Sequence, residues 1–271
     1  MTTADASAVI PDDTLATRQL ARGDVSASHG LLEAFAAAIA THGTLYDWAA
    51  MQPQPRALRG RAPVFVATVP ESDETVVVRH AWHGGLFAPV TGDRFRRPTR
   101  APLEFAHSSA LRSVGIPTTT VLGFARYDAG LGTCRVDVVS RFVPHAFDLG
   151  MIAAALVPQI TLTAALEATL HLLRRLALAG IVHPDLNVKN VLITADASIS
   201  SPGTLVAMVI DVDVVQWVSG ALPRSIMQRN VARLVRSIRK WRTQFGCDVT
   251  DQTLATFSRA AMNSVGSSRT T

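Results

Sequence analysis

The chain has 271 residues, 48% of them hydrophobic, enough apolar material for one large domain or two closely joined lobes. Its net charge of +5 comes almost wholly from arginine, since Lys189 and Lys240 are the only lysines, and no basic-aromatic module accompanies the charge, so nucleic acid is not the expected partner. Two cysteines, Cys134 and Cys247, exclude a disulfide framework and lack paired metal-ligand spacing.

Residues 1–25 read as a leader without fixed structure. They carry Asp5, Asp12 and Asp13 but no basic run ahead of an apolar stretch, so they are not a secretory signal and a cytoplasmic protein is expected. The Ala-rich composition of 31–40 predicts a short helix. Over 63–80 two β-rich runs flank the turn-prone Pro70-Glu71-Ser72-Asp73, which predicts a hairpin. Gly84-Gly85 and the arginine-dense stretch 94–100 read as loop. Residues 103–114 then have helical spacing, which stops at Gly115-Ile116-Pro117. Two further strands are expected over 118–124 and 134–142, joined by a turn over 128–132.

The segment 143–148, with Pro144, leads into a helical half, so a lobe boundary is expected within 143–150. The apolar stretch 151–173 is broken by Pro158, Gln159, Glu167 and His171 and reads as buried helices, not as a membrane span. Leucines at helical spacing cover 162–179, with Gly180 as the stop. A second hairpin is expected from 190–194 and 205–210 around the Ser/Pro/Gly-rich turn 198–203, and an amphipathic, arginine-rich helix over 227–245. The chain beyond 263 is expected to fray.

Within the helical half stands His183-Pro184-Asp185-Leu186-Asn187-Val188-Lys189-Asn190, and 21 residues after Asn190 come Asp211-Val212-Asp213. In phosphoryl transfer a catalytic-loop aspartate takes the hydroxyl proton, while an asparagine five residues on and a strand-end aspartate hold the metal ions that bridge the phosphates. Asp185 follows a predicted helix and Asp211 a predicted buried strand, which is the order and context that chemistry needs. Asp185 is therefore the candidate base, and Asn190 and Asp211 are the candidate metal ligands. His183 is expected to support the loop, and Asp213 to add to the metal site or brace the turn.

The loop together with Ile210-Asp211-Val212-Asp213 resembles the lipopolysaccharide kinases of Kdo/WaaP type, above all the 3-deoxy-D-manno-octulosonic acid (Kdo) kinases, over about residues 60–241. That family carries a His-x-Asp-Leu-Asn-x-x-Asn loop and an Ile-Asp-x-Asp turn, whereas protein kinases usually have glycine where Asp213 stands. Weaker likenesses are Val78-Arg79-His80, Gly84-Gly85-Leu86, Leu103-Glu104-Phe105 and the arginine-bearing helix from Asn230 to Ser237. The resemblance implies an α+β, protein-kinase-like two-lobed fold, with a small β-rich N-lobe over 26–145, a mainly helical C-lobe over 146–265 and a tail over 266–271. It implies ATP and Mg2+ as cofactors and an acceptor hydroxyl of Kdo in the lipopolysaccharide inner core. The partner would then be an anionic glycolipid of Kdo-lipid A type, met in peripheral contact at the cytoplasmic face of the inner membrane.

A kinase of this fold needs a cation on its third strand to steady the nucleotide phosphates against a helix glutamate. No lysine precedes Lys189, so Arg79 is the candidate and Glu104 its partner. The glycine-rich phosphate loop is reduced to Gly60, and Pro184 replaces the arginine that protein kinases use to meet an activation-loop phosphate. Arg94, Arg96, Arg97 and Arg100 suit an anionic glycolipid and equally suit a solvated loop. His80, His83 and His107 are expected to hydrogen-bond locally and not to bind metal. Two other functions remain open: a phosphotransferase acting on a soluble alcohol such as an aminoglycoside or choline, and a nucleotide-binding pseudokinase acting as a regulatory partner.

Overall fold

A computed structural model of the chain describes residues 14–28, 30–53, 56–58, 63–72, 74–82, 92–195 and 204–266. Gly60, His83, Gly84, Gly85 and Leu86 lie outside the described residues. The chain divides into two compact units, Met1–Phe105 with Thr120–Phe142, and Ala106–Thr119 with Val143–Thr271.

The first unit is built on an antiparallel sheet. Its strands are β1 (Leu15–Leu20), β2 (Gly23–Ser28), β3 (Arg56–Leu58), β4 (Val64–Thr68), β5 (Thr75–His80), β6 (Phe95–Arg96), β7 (Val121–Gly130) and β8 (Thr133–Arg141). They run in the order β1-β2-β7-β8-β5-β4-β3, with β6 paired to β8. The sequence reading places 15–25 in an unstructured leader, and the structure corrects this. β1 and β2 form a hairpin because Val25 and Ala27 are fully buried in the core, although the polar run Leu-Ala-Thr-Arg-Gln-Leu of β1 gives little strand signal of its own.

Two-residue periodicity gives each strand two faces. On β8, Cys134, Val136 and Val138 pack with Val121, Phe124 and Phe105, while Val139 joins Val76, Val78 and Leu122 beneath α1 (Leu32–His42) and α2 (Leu45–Ala50). Asp137 on the α2 side is fully buried and fully engaged. Its carboxylate accepts from Tyr46 N at 2.9 Å, Tyr127 Oη at 3.0 Å and the His80 ring at 2.6 Å. The other His80 nitrogen lies 3.2 Å from Asp93, so this histidine is held locally between two carboxylates.

Burial lowers the His80 pKa, but the hydrogen bonds and charges of Asp137 and Asp93 more than offset it, leaving it above its usual value. The stability this contributes is present below the unfolded value of about 6.5 and is lost as pH rises through the higher folded value. Chemical unfolding should therefore show falling stability from about pH 6 upward, and His80→Gln should flatten that slope.

The second unit is mainly helical. It comprises the C-terminal part of α3 (Ala101–Ser113), then α4 (Leu149–Ala153), α5 (Leu162–Leu178), α6 (Pro223–Phe245) and α7 (Asp251–Ser264). Short strands β9 (Phe147–Asp148), β10 (Ile181–Val182), β11 (Val191–Thr194), β12 (Val206–Val209) and β13 (Gln216–Trp217) complete it. One core holds Leu111, Leu172, Leu173 and Leu176 with Ile226, Leu234 and Ile238. α5 starts at Thr161, whose hydroxyl caps Ala164 N. α6 begins earlier than its apolar periodicity suggests, with Pro223 in its first turn, and ends on Gly246 in the left-handed region at φ 66°. α7, an element the sequence reading does not contain, is stabilised by the Thr250 cap and by burial of Leu254, Phe257 and Ala261.

Candidate active site

Asp185 is exposed in a turn between β10 and β11, and its main chain is fixed from both sides. Its N–H donates to His183 Nδ1 at 3.2 Å, and its carbonyl accepts from the side-chain amides of Asn187 and Asn190, each at 2.9 Å. The buried Leu186 and Val188 alternate with these polar residues and anchor the loop in the core. The outcome is a rigid backbone that presents a carboxylate to solvent.

His183 joins this loop to the next strand. It is fully buried, and its Nε2–H donates to the Ile210 carbonyl at 3.2 Å while Nδ1 accepts from Asp185, a pattern that assigns the neutral tautomer. Burial pulls its pKa down, against the opposing effects of the Ile210 carbonyl and the charges of Asp211, Asp185 and Asp213.

The β11–β12 register then sets Asn190 and Asp211 at one end of a hairpin. Val191 pairs with Val209, and Ile210 N donates to Asn190 O at 3.0 Å, so the two candidate ligands leave adjacent rungs. Asp211 adopts φ 59°, ψ 50°, a left-handed conformation that aspartate tolerates better than most residues. The turn Val212–Val214, which carries Asp213, is held by His107, whose Nδ1–H donates to Val212 O at 2.8 Å and whose ring meets Trp217 edge-on. Asn190 commits its amide nitrogen to Asp185, which leaves its Oδ1 as a hard donor beside a carboxylate-bearing turn. Oxygen donors few in number suit Mg2+, which keeps several waters when bound.

One edge of α6 braces the loop from behind. Asn230, fully buried, accepts from His183 N at 3.1 Å and donates to Ile181 O at 2.9 Å. Ser237 Oγ accepts from Val188 N at 3.1 Å, and Trp241 donates to Gly150 O at 3.0 Å with Lys189 Nζ 5.2 Å from its ring centre. Sequence reasoning attended to the arginines of this helix and missed these three. The available signal was a set of polar residues at helical spacing, seven and four apart, on a face otherwise apolar. Asn230→Ala strands two buried main-chain groups and should destabilise the protein by about 3 kcal/mol in chemical unfolding, and Asn230→Asp, which keeps the acceptor for His183 N but sets a buried carboxylate oxygen against the Ile181 carbonyl, should also destabilise it.

In the first unit, Arg79 at the end of β5 meets Glu104 in α3. Arg79 Nη2 donates to both carboxylate oxygens, at 2.8 and 2.7 Å, with Glu104 largely buried. The arginine-dense stretch is less open than its sequence suggests, because Arg97 pairs with Asp24 at 2.9 Å and Asp128 at 3.3 Å. Among the described residues, no group of three or more His, Cys, Asp or Glu is placed to hold a metal ion.

An antiparallel sheet carrying an arginine–glutamate pair, and a helical unit carrying an Asp-loop and an Asp-turn, together define an α+β protein of the protein-kinase-like class. The chain matches the lipopolysaccharide kinase (Kdo/WaaP) family over residues 59–260 and belongs to that family. It is 31% identical over 133 residues to a 3-deoxy-D-manno-octulosonic acid kinase of Actinobacillus succinogenes, covering 48% of this chain and 54% of the relative. A kinase of the same name from Mannheimia succiniciproducens is 31% identical over 121 residues, covering 43% and 49% respectively. The match thus spans about half the length of these curated relatives. Among solved structures, WaaP in complex with acyl carrier protein aligns at a TM-score of 0.46 and 15% identity, covering 78% of this chain and 79% of that one.

Proposed function

We propose that the protein transfers the γ-phosphoryl group of ATP to a hydroxyl of Kdo in the lipopolysaccharide inner core, on an anionic acceptor of Kdo-lipid A type. The observation that carries this reading is the exposed Asp185 carboxylate on a backbone pinned by His183, Asn187 and Asn190, in a chain of this family. Asp185 takes the proton of the acceptor hydroxyl as its oxygen bonds to the γ-phosphorus. The bond from that phosphorus to the β–γ bridging oxygen breaks, and ADP leaves with the electron pair. Asn190 and Asp211 would hold Mg2+, which supplies charge neutralisation on the phosphates. His183, neutral and buried, positions Asp185 and the Ile210 carbonyl together, and Asp213 stands in the same turn as a secondary site residue.

Arg79 steadies the nucleotide phosphates in place of a strand lysine, and Glu104 orients it. A guanidinium presents separate donors to carboxylate and phosphate, so one side chain can serve both. Arg79→Ala should raise the KM for ATP by about tenfold and slow transfer, and Arg79→Lys should restore only part of it. The double variant with Glu104→Ala should be less than additive, since a shared contact is lost only once. Full additivity would sink the pairing.

The acceptor is tested by comparing kcat/KM for γ-labelled ATP with Kdo-lipid A, choline and an aminoglycoside. The reading expects Kdo-lipid A to be preferred by at least about a hundredfold. Preference for a soluble alcohol would move the protein to the small-molecule phosphotransferases, and nucleotide binding with no transfer to any acceptor would mark a pseudokinase. No described helix is long and apolar enough to cross a membrane, and we propose that the protein meets its lipid-borne acceptor by peripheral contact at the cytoplasmic face of the inner membrane.

A further inference from the structure

Most arginines with described partners are neutralised inside the protein: Arg79 by Glu104, Arg97 and Arg126 by Asp24, Arg135 by Asp93, Arg141 by Glu74, and Arg242 by Asp251. The outer face of α6 is different. Arg229, Arg233, Arg236 and Lys240 are all exposed, and the helix contains no aspartate or glutamate. At about 100° per residue these four fall within an arc of about 60°, forming a row roughly 16 Å long. None of the four has an acidic partner among the described residues. Like charges three and four residues apart repel and weaken a helix, so the row is unfavourable unless something outside the protein neutralises it.

We propose that this row is the membrane-docking surface, and that its ligand is the anionic phospholipid headgroup layer. The row runs along the exposed side of one helix, a geometry suited to a broad planar surface. Leu222, 74% exposed, caps the helix seven residues before Arg229 and so continues the same line with an apolar side chain. Cations in a row, with an exposed apolar side chain at its end, are what an anionic interface attracts. The choice of a membrane over other polyanions rests on the glycolipid-acceptor reading. The opposite consequence is built into the same helix: its Asn230, Ser237 and Trp241 edge braces the catalytic loop, so a docked α6 would fix that loop relative to the lipid surface.

The test is co-sedimentation of the intact protein with vesicles of phosphatidylcholine and phosphatidylglycerol, against vesicles of phosphatidylcholine alone, without ATP or acceptor. The wild type should bind only the anionic vesicles, and binding should weaken as salt is raised. Replacing all four residues by glutamine should lower the affinity on the order of a hundredfold, while Arg229→Lys, Arg233→Lys and Arg236→Lys together should keep it, because charge and not guanidinium geometry is required. Circular dichroism confirms that the variants fold, and the salt titration of the wild type reads the same claim without any substitution. Equal binding by the glutamine variant, salt-insensitive binding, or no wild-type binding to anionic vesicles would overturn the proposal. So would capture of an acidic carrier protein or heparin through this row by a protein that ignores vesicles. Failure of the kinase reading is separate: it would appear as absent transfer to Kdo-lipid A with vesicle binding intact.

Discussion

Asp185→Asn is expected to lower phosphoryl transfer by about a thousandfold while leaving nucleotide affinity within about twofold of wild type. The asparagine is nearly isosteric, and the structural bonds of this loop are made by the main chain of residue 185, not by its side chain. Folding and loop position should therefore survive. What is lost is the ability to accept a proton from the acceptor hydroxyl, a property needed in the transition state and not in nucleotide binding. Single-turnover transfer and nucleotide titration, run on the same preparation, separate these effects. Near-normal turnover in a folded Asp185→Asn protein would remove Asp185 as the base.

The second large effect belongs to Asp211. Asp211→Asn should cut transfer by about a hundredfold or more and raise the magnesium concentration needed for nucleotide binding, because a charged oxygen ligand is replaced by a neutral one. The backbone makes this substitution informative. At φ 59°, ψ 50° asparagine is tolerated as readily as aspartate, so the variant changes charge without adding strain. Asp211→Ala would add roughly 1–2 kcal/mol of backbone strain and mix the two causes. Nucleotide titrations at several magnesium concentrations give the readout, and an unchanged magnesium dependence would reject Asp211 as a ligand.

The candidate site was legible where its chemistry is local in sequence. Asp185 and Asn190 are five residues apart in one loop, so their spacing survives any uncertainty about the fold. Arg79 and Glu104 are 25 residues apart, and the expectation that they meet is implied by the family resemblance, with the absence of any lysine before Lys189 pointing to an arginine as the strand cation; the structure forms that contact. The bracing of the loop was not legible. Asn230 reaches His183 and Ile181 across 47 and 49 residues, and only tertiary packing decides which polar residue of an amphipathic helix faces inward. The left-handed backbone at Asp211 was equally hidden, since no glycine marks it.

The fold shows the same division. The hairpins of β4–β5 and β11–β12 carry their own β-branched runs and turn residues, and sequence alone finds them. β1 and α2 do not. β1 is half polar and is ordered by its pairing with β2, and α2 is a six-residue helix whose Thr44 cap and buried Leu45 and Trp48 matter only once the sheet lies beneath them. The expected turn over 128–132 is likewise shortened, because β7 runs on to Gly130 in register with β8 past an irregularity at Asp128. Arg97, read as part of an open basic loop, is drawn inward by the buried Asp24 of β2, a strand the sequence reading does not contain.

The central claim is that this chain phosphorylates a Kdo hydroxyl, and the most direct measurement is the mass spectrum of Kdo-lipid A after incubation with the purified protein, ATP and magnesium. The account predicts a gain of one phosphoryl group per acceptor, retained on the Kdo fragment when the product is broken between sugar and lipid A. A phosphoryl group found on the lipid A fragment, or an acceptor of unchanged mass in the presence of a folded, nucleotide-binding protein, would contradict it.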